Sequence, residues 1–222
     1  MDALRYAADA AHLGRNTVWA IALGWLKDGD SVLDVGCNTG YVGRAARERL
    51  QVVFDGIEGD EDAAEKARET YRSVVCANLA SGPPWPGVTG PYDVILALDV
   101  LEHLVEFETA LRALADLLGP GGRLVLSVPN VAHWSVRFRL LAGRFDYTET
   151  GILDRTHVRF FTLRTLLAAC REAGLDVAET AVTTNGFPMR KLVSHSMRRR
   201  AATAFPGLLA YQFVLRLARR SG

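Results

Sequence analysis

A glycine-rich stretch at residues 32–43 (VLDVGCNTGYVG) is the feature that most constrains the fold of this chain. An apolar run ends there in Asp34 and a glycine-rich turn, and a helical pattern follows. A strand that leads through such a turn into a helix is typical of α/β sheets that bind nucleotide-like ligands at the helix N-terminus. The glycines at positions 36, 40 and 43 give the spacing G-x-x-x-G-x-x-G. The dinucleotide fingerprint needs a glycine where Asn38 stands, and the Asp34 carboxylate would repel a pyrophosphate, so a cationic ligand is favoured.

Strand and helix patterns alternate along the chain, which predicts a doubly wound, mostly parallel α/β sheet. The run from Tyr92 to Leu98 is nearly continuously apolar, as expected for a strand that is buried on both faces. The predicted strands are 31–35, 52–58, 73–77, 92–98, 123–128 and 176–183. The predicted helices are one or two within 3–26, then 39–50, 60–71, 106–118 and 163–173.

Length and composition fit a single domain with a full core, because 49% of the 222 residues are hydrophobic and 23% are charged. We expect N-terminal helices over 1–30, the ligand-binding domain over 31–184 and a basic, apolar tail over 185–222. Residues 129–162 interrupt the alternation of strands and helices. They are predicted to form an insertion.

Charge is unevenly distributed although the formal net charge is only +1. No Asp or Glu follows Glu179, whereas eight Lys or Arg do, and subtracting these eight leaves −7 for the first 179 residues. That balance argues against nucleic acid as a partner. Three cysteines without metal or disulfide spacing favour a reducing compartment. Without a signal-like or membrane-spanning apolar run, the expected location is cytoplasmic.

Ligand-binding side chains are expected just after the strands, because such sheets bind ligands beyond the carboxyl ends of their strands. Glu58 ends the second strand, where an acid can accept hydrogen bonds from both ribose hydroxyls. Asn78 and Leu79 follow the third strand, where an amide can read an adenine amino group and an apolar side chain can flank the ring. The predicted ligand-binding residues are Asp34, Gly36, Asn38, Gly40, Glu58, Gly59, Asn78, Leu79 and Leu98.

The turn around Asp34 and Gly36, taken with Glu58, resembles motif I and the ribose-binding acid of class I S-adenosylmethionine-dependent methyltransferases. The resemblance covers roughly residues 30–184. It implies a Rossmann-like sheet of seven strands and S-adenosylmethionine as the cofactor, and it assigns the same roles to the residues above. Asn78 departs from the family, in which an aspartate is common at this position.

The acceptor side is predicted to lie in the sequence DVLEHL, where Asp99, Glu102 and His103 stand at i, i+3 and i+4. A helical turn would place all three on one face, and His133 or His157 could join them. Three interpretations stay open. His103 acts as a general base. Alternatively, Asp99, Glu102, His103 and one further histidine bind Mg²⁺ or Mn²⁺, which holds the acceptor oxygen. In the third, the Glu-His pair only caps and orients a helix.

Further resemblances concern the reaction. DVLEHL with the later His157 is similar to the E-x-x-E-H…H metal site of ubiquinone-biosynthesis O-methyltransferases and small-RNA 2′-O-methyltransferases, with Asp99 in place of the first glutamate. The stretches PNVAHW and GILDRTHVRFFT resemble bacterial methyltransferases of sugar, polysaccharide and natural-product assembly. These resemblances imply O-methylation of a hydroxyl, with His103, Glu102 and His157 as catalytic residues. The alternatives are an RNA 2′-O-methyltransferase and a non-catalytic module that binds the cofactor.

Two segments suggest partners. Aromatic residues and arginines interleave over 128–162. The insertion 129–162 is therefore predicted to cover the acceptor, and its composition suits a small molecule or a saccharide. Residues 196–220 combine a basic cluster with an apolar run. This segment could pack on the domain, form a homodimer or make peripheral contact with an anionic membrane surface.

Overall fold

The computed structural model describes residues 16–188 and 192–220. Its strands are β1 (Ser31–Val35), β2 (Val53–Glu58), β3 (Ser73–Cys76), β4 (Tyr92–Leu98), β5 (Leu118–Pro129), β6 (Leu175–Val182) and β7 (Gln212–Arg219). Its helices are α1 (Val18–Leu23), α2 (Tyr41–Arg47), α3 (Glu61–Arg68), α4 (Phe107–Asp116), α5 (Trp134–Leu141), α6 (Leu163–Glu172), α7 (His195–Ala204) and α8 (Pro206–Leu209). The part of the predicted N-terminal helices that precedes residue 16 lies outside the described residues.

These strands form one seven-stranded sheet in the order β3-β2-β1-β4-β5-β7-β6. Strands β1 to β5 run parallel, and β7 lies antiparallel between β5 and β6. The predicted Rossmann-like, mostly parallel sheet is therefore confirmed. No helix among the described residues is long and apolar enough to cross a bilayer.

Strand β7 places the end of the predicted tail, residues 185–222, in the sheet, so the domain extends beyond residue 184 and, of the alternatives for the tail, packing on the domain holds for this part. Its residues Phe213, Val214, Leu215 and Leu217 are fully buried. Both faces of this strand are covered, so its sequence shows an apolar run instead of the alternation that would have identified a strand. The apolar second half of the predicted membrane-contact segment 196–220 thus belongs to the core, and residues 196–211 of that segment precede the strand.

Two apolar layers cover the sheet, because adjacent residues of a strand point to opposite faces. Leu33 and Ile95 face one layer, where α4 and α6 pack. Their neighbours Val32 and Val94 face the other layer, where α1, α2 and α3 pack. The strand order and these two layers place the carboxyl ends of the central strands at one open edge.

The glycine-rich turn owes part of its composition to packing. Gly40 precedes α2 with a φ of 73°, which favours glycine. A Cβ on Gly43 would lie 2.2 Å from Cε1 of Tyr71, so no larger side chain fits there. The Tyr71 hydroxyl donates a hydrogen bond to Asp34 at 2.6 Å and accepts one from the Gly43 N–H at 3.1 Å. Tyr71 therefore ties β1 to α2 beneath the turn.

Candidate active site

A cavity of about 420 Å³ opens at the carboxyl edge of the sheet. The parallel strands β1, β2 and β4 end at this edge, whereas β7 begins there because it runs in the opposite direction. For that reason Tyr211 and Gln212, from the C-terminal part of the chain, reach the wall of the same cavity as Gly36 and Glu58.

The cofactor end of the cavity is organised around the Glu58 carboxylate. One of its oxygens accepts a hydrogen bond from the Asn38 N–H at 2.7 Å. The other accepts bonds from the N–H groups of Gly59 at 2.8 Å and Asp60 at 3.0 Å. Asn38 takes a left-handed φ of 49°, which asparagine tolerates better than most residues. The backbone of two loops thus fixes a carboxylate at the cavity wall, where the sequence predicts the ribose-binding acid.

Most of the predicted ligand-binding residues do line the cavity: Gly36, Asn38, Glu58, Gly59, Asn78, Leu79 and Leu98. Asp34 and Gly40 are not part of its wall. Asp34 lies beneath the turn, only 3% exposed, and burial raises its pKa to about 7. Asp34 supports the turn through its hydrogen bond with Tyr71. Its position outside the cavity wall does not support the predicted direct contact with the ligand.

Two aromatic side chains that the sequence analysis missed also line this end. Trp19 of α1 and Tyr41 of α2 pack edge to face, with ring centroids 5.0 Å apart. Flat rings beside an acid-lined cavity suit a ligand that carries positive charge. Tyr41 directly follows the glycine-rich turn, which could have signalled its position, whereas Trp19 had no such signal.

Asp99 is held away from the other predicted metal ligands. It follows β4 with a left-handed φ of 55°, and its carboxylate accepts hydrogen bonds from Ser127 Oγ at 2.6 Å and Gln212 Nε2 at 2.7 Å. Burial raises its pKa to about 6. The next residues form a short 3₁₀ turn, Leu101–His103. The expectation that Asp99, Glu102 and His103 share one helical face is therefore wrong.

Glu102, His103 and His157 do come together at the predicted acceptor end, which follows β4 and is separated from Glu58 by β1 in the sheet. One potential ligand atom from each lies within 4.8 Å of the others. The Glu102 carbonyl oxygen accepts hydrogen bonds from the N–H groups of Val158 at 2.9 Å and Arg159 at 3.0 Å, which draws the His157 loop onto the 3₁₀ turn. Contacts between residues that are 56 and 57 positions apart in the sequence thus assemble the cluster.

Both histidines of this cluster are oriented by backbone carbonyls. Nδ1 of His103 lies 3.2 Å from the Thr156 oxygen, and Nδ1 of His157 lies 3.1 Å from the Ile152 oxygen. A carbonyl requires Nδ1 to be the donor, so Nε2 of each ring keeps its lone pair. Burial lowers the pKa of both rings, which favours the neutral form.

Glu102 is a buried acid of the cavity whose carboxylate lacks hydrogen bonds within the described residues. It is 1% exposed, and neither carboxylate oxygen has a hydrogen-bond partner among the described residues. Burial raises its pKa well above the usual range. A buried carboxylate without a partner is costly, so its position beside two imidazole lone pairs fits a cation-binding centre.

His133 is not a member of this cluster. It caps α5, where its Nδ1 lies 2.8 Å from Ser135 Oγ, and burial lowers its pKa to about 4. Its Nε2 is buried and unpaired among the residues that the structure describes. His157, and not His133, is therefore the later histidine of the site.

The fold, the glycine-rich turn and the Glu58 carboxylate define a class I S-adenosylmethionine-dependent methyltransferase. A family model described as a methyltransferase domain matches residues 8–180. The match covers most of the chain, and the protein belongs to this family.

Similar proteins include several ubiquinone biosynthesis O-methyltransferases. That of Neisseria meningitidis serogroup C is 29% identical over 164 residues, which cover 68% of this chain and 66% of the relative. That of Pseudomonas aeruginosa strain LESB58 is 30% identical over 162 residues, with the same coverage of 68% and 66%. The chain thus spans slightly less than two thirds of the length of these relatives.

Solved structures support the fold. The magnesium protoporphyrin IX methyltransferase of Synechocystis, with bound SAH, has a TM-score of 0.59 and 19% identity, covering 99% of this chain and 83% of that chain. An S-adenosylmethionine-dependent methyltransferase of Mesorhizobium loti has a TM-score of 0.62 and 16% identity, covering 91% and 98%. At these identities the likeness concerns architecture.

Proposed function

We propose that this enzyme transfers the methyl group of S-adenosylmethionine to a hydroxyl oxygen, with Glu102, His103 and His157 around the acceptor. The observation that carries the proposal is this buried cluster, which lies in the same cavity as Glu58 but at its other end. The names of the related O-methyltransferases support oxygen as the accepting atom.

The transfer forms a bond between the acceptor oxygen and the methyl carbon and breaks the bond from that carbon to sulfur. The acceptor must also lose its hydroxyl proton. His103 or His157 can accept this proton through the Nε2 lone pair, because a neutral imidazole is a base. Depressed pKa values keep both rings neutral at neutral pH. Burial raises the pKa of Glu102, and a protonated ring or a bound cation beside it would favour its ionised form, which in turn stabilises that positive charge.

The cluster also fits a divalent cation. Glu102, His103 and His157 would hold it through one carboxylate oxygen and two imidazole nitrogens, and such an ion lowers the pKa of a bound hydroxyl. Because Asp99 is engaged elsewhere, the donor set is richer in nitrogen than DVLEHL suggested. That composition moves the preference from Mg²⁺ toward Mn²⁺, Fe²⁺ or Zn²⁺.

The surroundings of the cluster favour an uncharged, polyhydroxylated acceptor, as in sugars and natural products. The rings of Phe145, Tyr147 and Phe160 pack against one another, and Phe160 lies 6.4 Å from His157 between ring centroids. Two arginines of this segment form ion pairs, Arg144 with Asp146 and Arg155 with Glu149. Aromatic rings next to the His157 loop, with these two cations paired, suit a sugar ring better than nucleic-acid phosphates.

Transfer of a labelled methyl group tests this proposal. Wild-type protein is incubated with labelled S-adenosylmethionine, with Mn²⁺ or with a chelator, and with neutral hydroxylated acceptors or RNA. We expect label on hydroxyls of the neutral acceptors and none on RNA. Label on an acceptor nitrogen, or on RNA alone, would contradict the proposal. Loss of transfer with the chelator would favour the cation, whereas unchanged transfer would favour the histidine base.

A further inference from the structure

Helix α5 is mostly exposed among the residues that the structure describes. Of its eight residues only Val136 is buried. Phe138 is 66% exposed and Leu141 is 84% exposed. Phe138 and Leu141 lie one turn apart, on the same side of the helix as Trp134. The ring centroids of Trp134 and Phe138 are 6.0 Å apart. Exposed apolar stripes of this kind mark interaction surfaces.

A second apolar segment adjoins this helix. Phe205 and Leu208, around α8, are 65% and 41% exposed. The two segments touch, because Nη2 of Arg137 on α5 donates a hydrogen bond to the Gly207 oxygen at 3.2 Å. We call residues 134–145 together with 192–209 the basic apolar surface.

The formally charged side chains of this surface are all positive. Its two segments contain six arginines and no Asp or Glu. Since the whole chain has a net charge of +1, subtracting these six leaves −5 for the remainder. Arg144 is paired with Asp146 just beyond the surface. The remaining arginines are Arg137, Arg139, Arg198, Arg199 and Arg200.

We propose that the basic apolar surface docks the enzyme on an anionic lipid bilayer. Apolar side chains beside arginines, without acids, match the boundary between acyl chains and negatively charged headgroups. A second copy of this chain is a poorer occupant, because a twofold contact would bring the arginines of both copies together.

Docking would bring the acceptor end of the cavity toward the membrane. Helix α8 ends at Leu209, two residues before Tyr211, which lines the cavity. The basic apolar surface is thus connected to the wall of the site by a very short segment. An acceptor that is embedded in or bound to the bilayer would be delivered to this opening.

Co-sedimentation with vesicles tests the docking. The full chain is mixed with vesicles of phosphatidylcholine, or of phosphatidylcholine with about 30% phosphatidylglycerol. We expect binding to the anionic vesicles alone, weakened by salt. Replacing Arg198, Arg199 and Arg200 by Gln should weaken binding roughly 100-fold, at about fivefold per arginine. The double variant Phe138→Ser/Leu141→Ser should weaken it at least about tenfold.

The matched control is Val53→Ser/Val177→Ser, which removes two partly exposed apolar side chains on strands, 42% and 38% exposed, away from the surface. It should bind vesicles like the wild type. Thermal unfolding checks that each variant is folded. Folded wild-type protein that ignores anionic vesicles would overturn the proposal. A dimer in light scattering that only the Phe138→Ser/Leu141→Ser variant disrupts would also overturn it, by assigning the surface to a second copy.

Discussion

The two ends of the active-site cavity are built in different ways. At the cofactor end, three backbone hydrogen bonds from its own loops hold the Glu58 carboxylate in place, and the carboxylate keeps capacity to accept a further one from a ligand. At the acceptor end, Glu102 is buried with no partner among the described residues. The hydrogen-bonded Glu58 carboxylate already has the orientation in which it would bind a ligand. The buried, unpaired Glu102 carboxylate instead needs a polar group or an ion that enters the cavity. Binding and catalysis should therefore respond to different substitutions.

The largest effect is expected at the acceptor end. Glu102→Gln or His103→Ala should lower turnover at least about 100-fold, because in the proposed mechanism each removes a group that activates the acceptor. Affinity for S-adenosylhomocysteine should stay within about twofold, since the cofactor contacts lie elsewhere. Turnover assays and calorimetry check the two parts. The exposed residues Glu106 and His195 offer the controls Glu106→Gln and His195→Ala. Turnover near the wild-type level would remove the cluster from the mechanism.

At the cofactor end, Glu58→Ala should weaken binding of S-adenosylhomocysteine by roughly 10- to 100-fold, the usual range for hydrogen bonds to a charged group. Turnover at saturating cofactor should change little. Asp34→Asn is the contrast, because Asp34 lies outside the cavity wall. We expect its affinity to stay close to that of the wild type. An equal loss for both variants in calorimetry would show that Asp34 contacts the ligand.

Between the two ends, Gln212 holds Asp99, and the pair should be coupled in stability. Gln212→Leu leaves a buried carboxylate oxygen without its donor and should lower the free energy of unfolding by about 1–3 kcal/mol. With Asp99→Asn already present, the same change should cost less. Denaturant unfolding of the four proteins in this cycle measures the coupling. Strictly additive effects would mean that the contact carries no stability.

The smallest effect concerns the support beneath the turn. Burial raises the pKa of Asp34 from 3.8 to about 7 in the folded protein. Between these values the folded state keeps a proton that the unfolded chain releases, so the free energy of unfolding falls as pH rises. Asp34→Asn removes this titration but can still accept the Tyr71 hydrogen bond. Urea unfolding across this pH range should give a shallower slope for the variant. Identical slopes would refute the buried, protonated Asp34.

The same comparison explains what the sequence can predict. The cofactor end was readable because its residues follow consecutive strands, and local patterns report strands and turns. The acceptor end depends on long-range contacts. Glu102 and His103 were visible as a pair, but only the backbone bonds from Val158 and Arg159 to Glu102 bring His157 to them. Tyr211 and Gln212 were hidden because β7 is buried on both faces and its sequence shows no alternation.

Asp99 shows the limit of spacing arguments. The positions i, i+3 and i+4 place side chains together only on a helix, and Asp99 instead takes a left-handed conformation. Its carboxylate then turns to Ser127 and Gln212. Neither partner is near Asp99 in sequence, so the departure could be found only in the folded chain.

The most direct test of the central claim is a calorimetric titration in two stages. S-adenosylhomocysteine is titrated into the purified protein first, and Mn²⁺ is then titrated into the complex of the wild type and of Glu102→Gln. We predict micromolar or tighter binding of S-adenosylhomocysteine to both proteins, and Mn²⁺ binding to the wild type alone. Folded protein that does not bind S-adenosylhomocysteine would contradict the cofactor site. Equal Mn²⁺ binding by both proteins would contradict a cation held by Glu102.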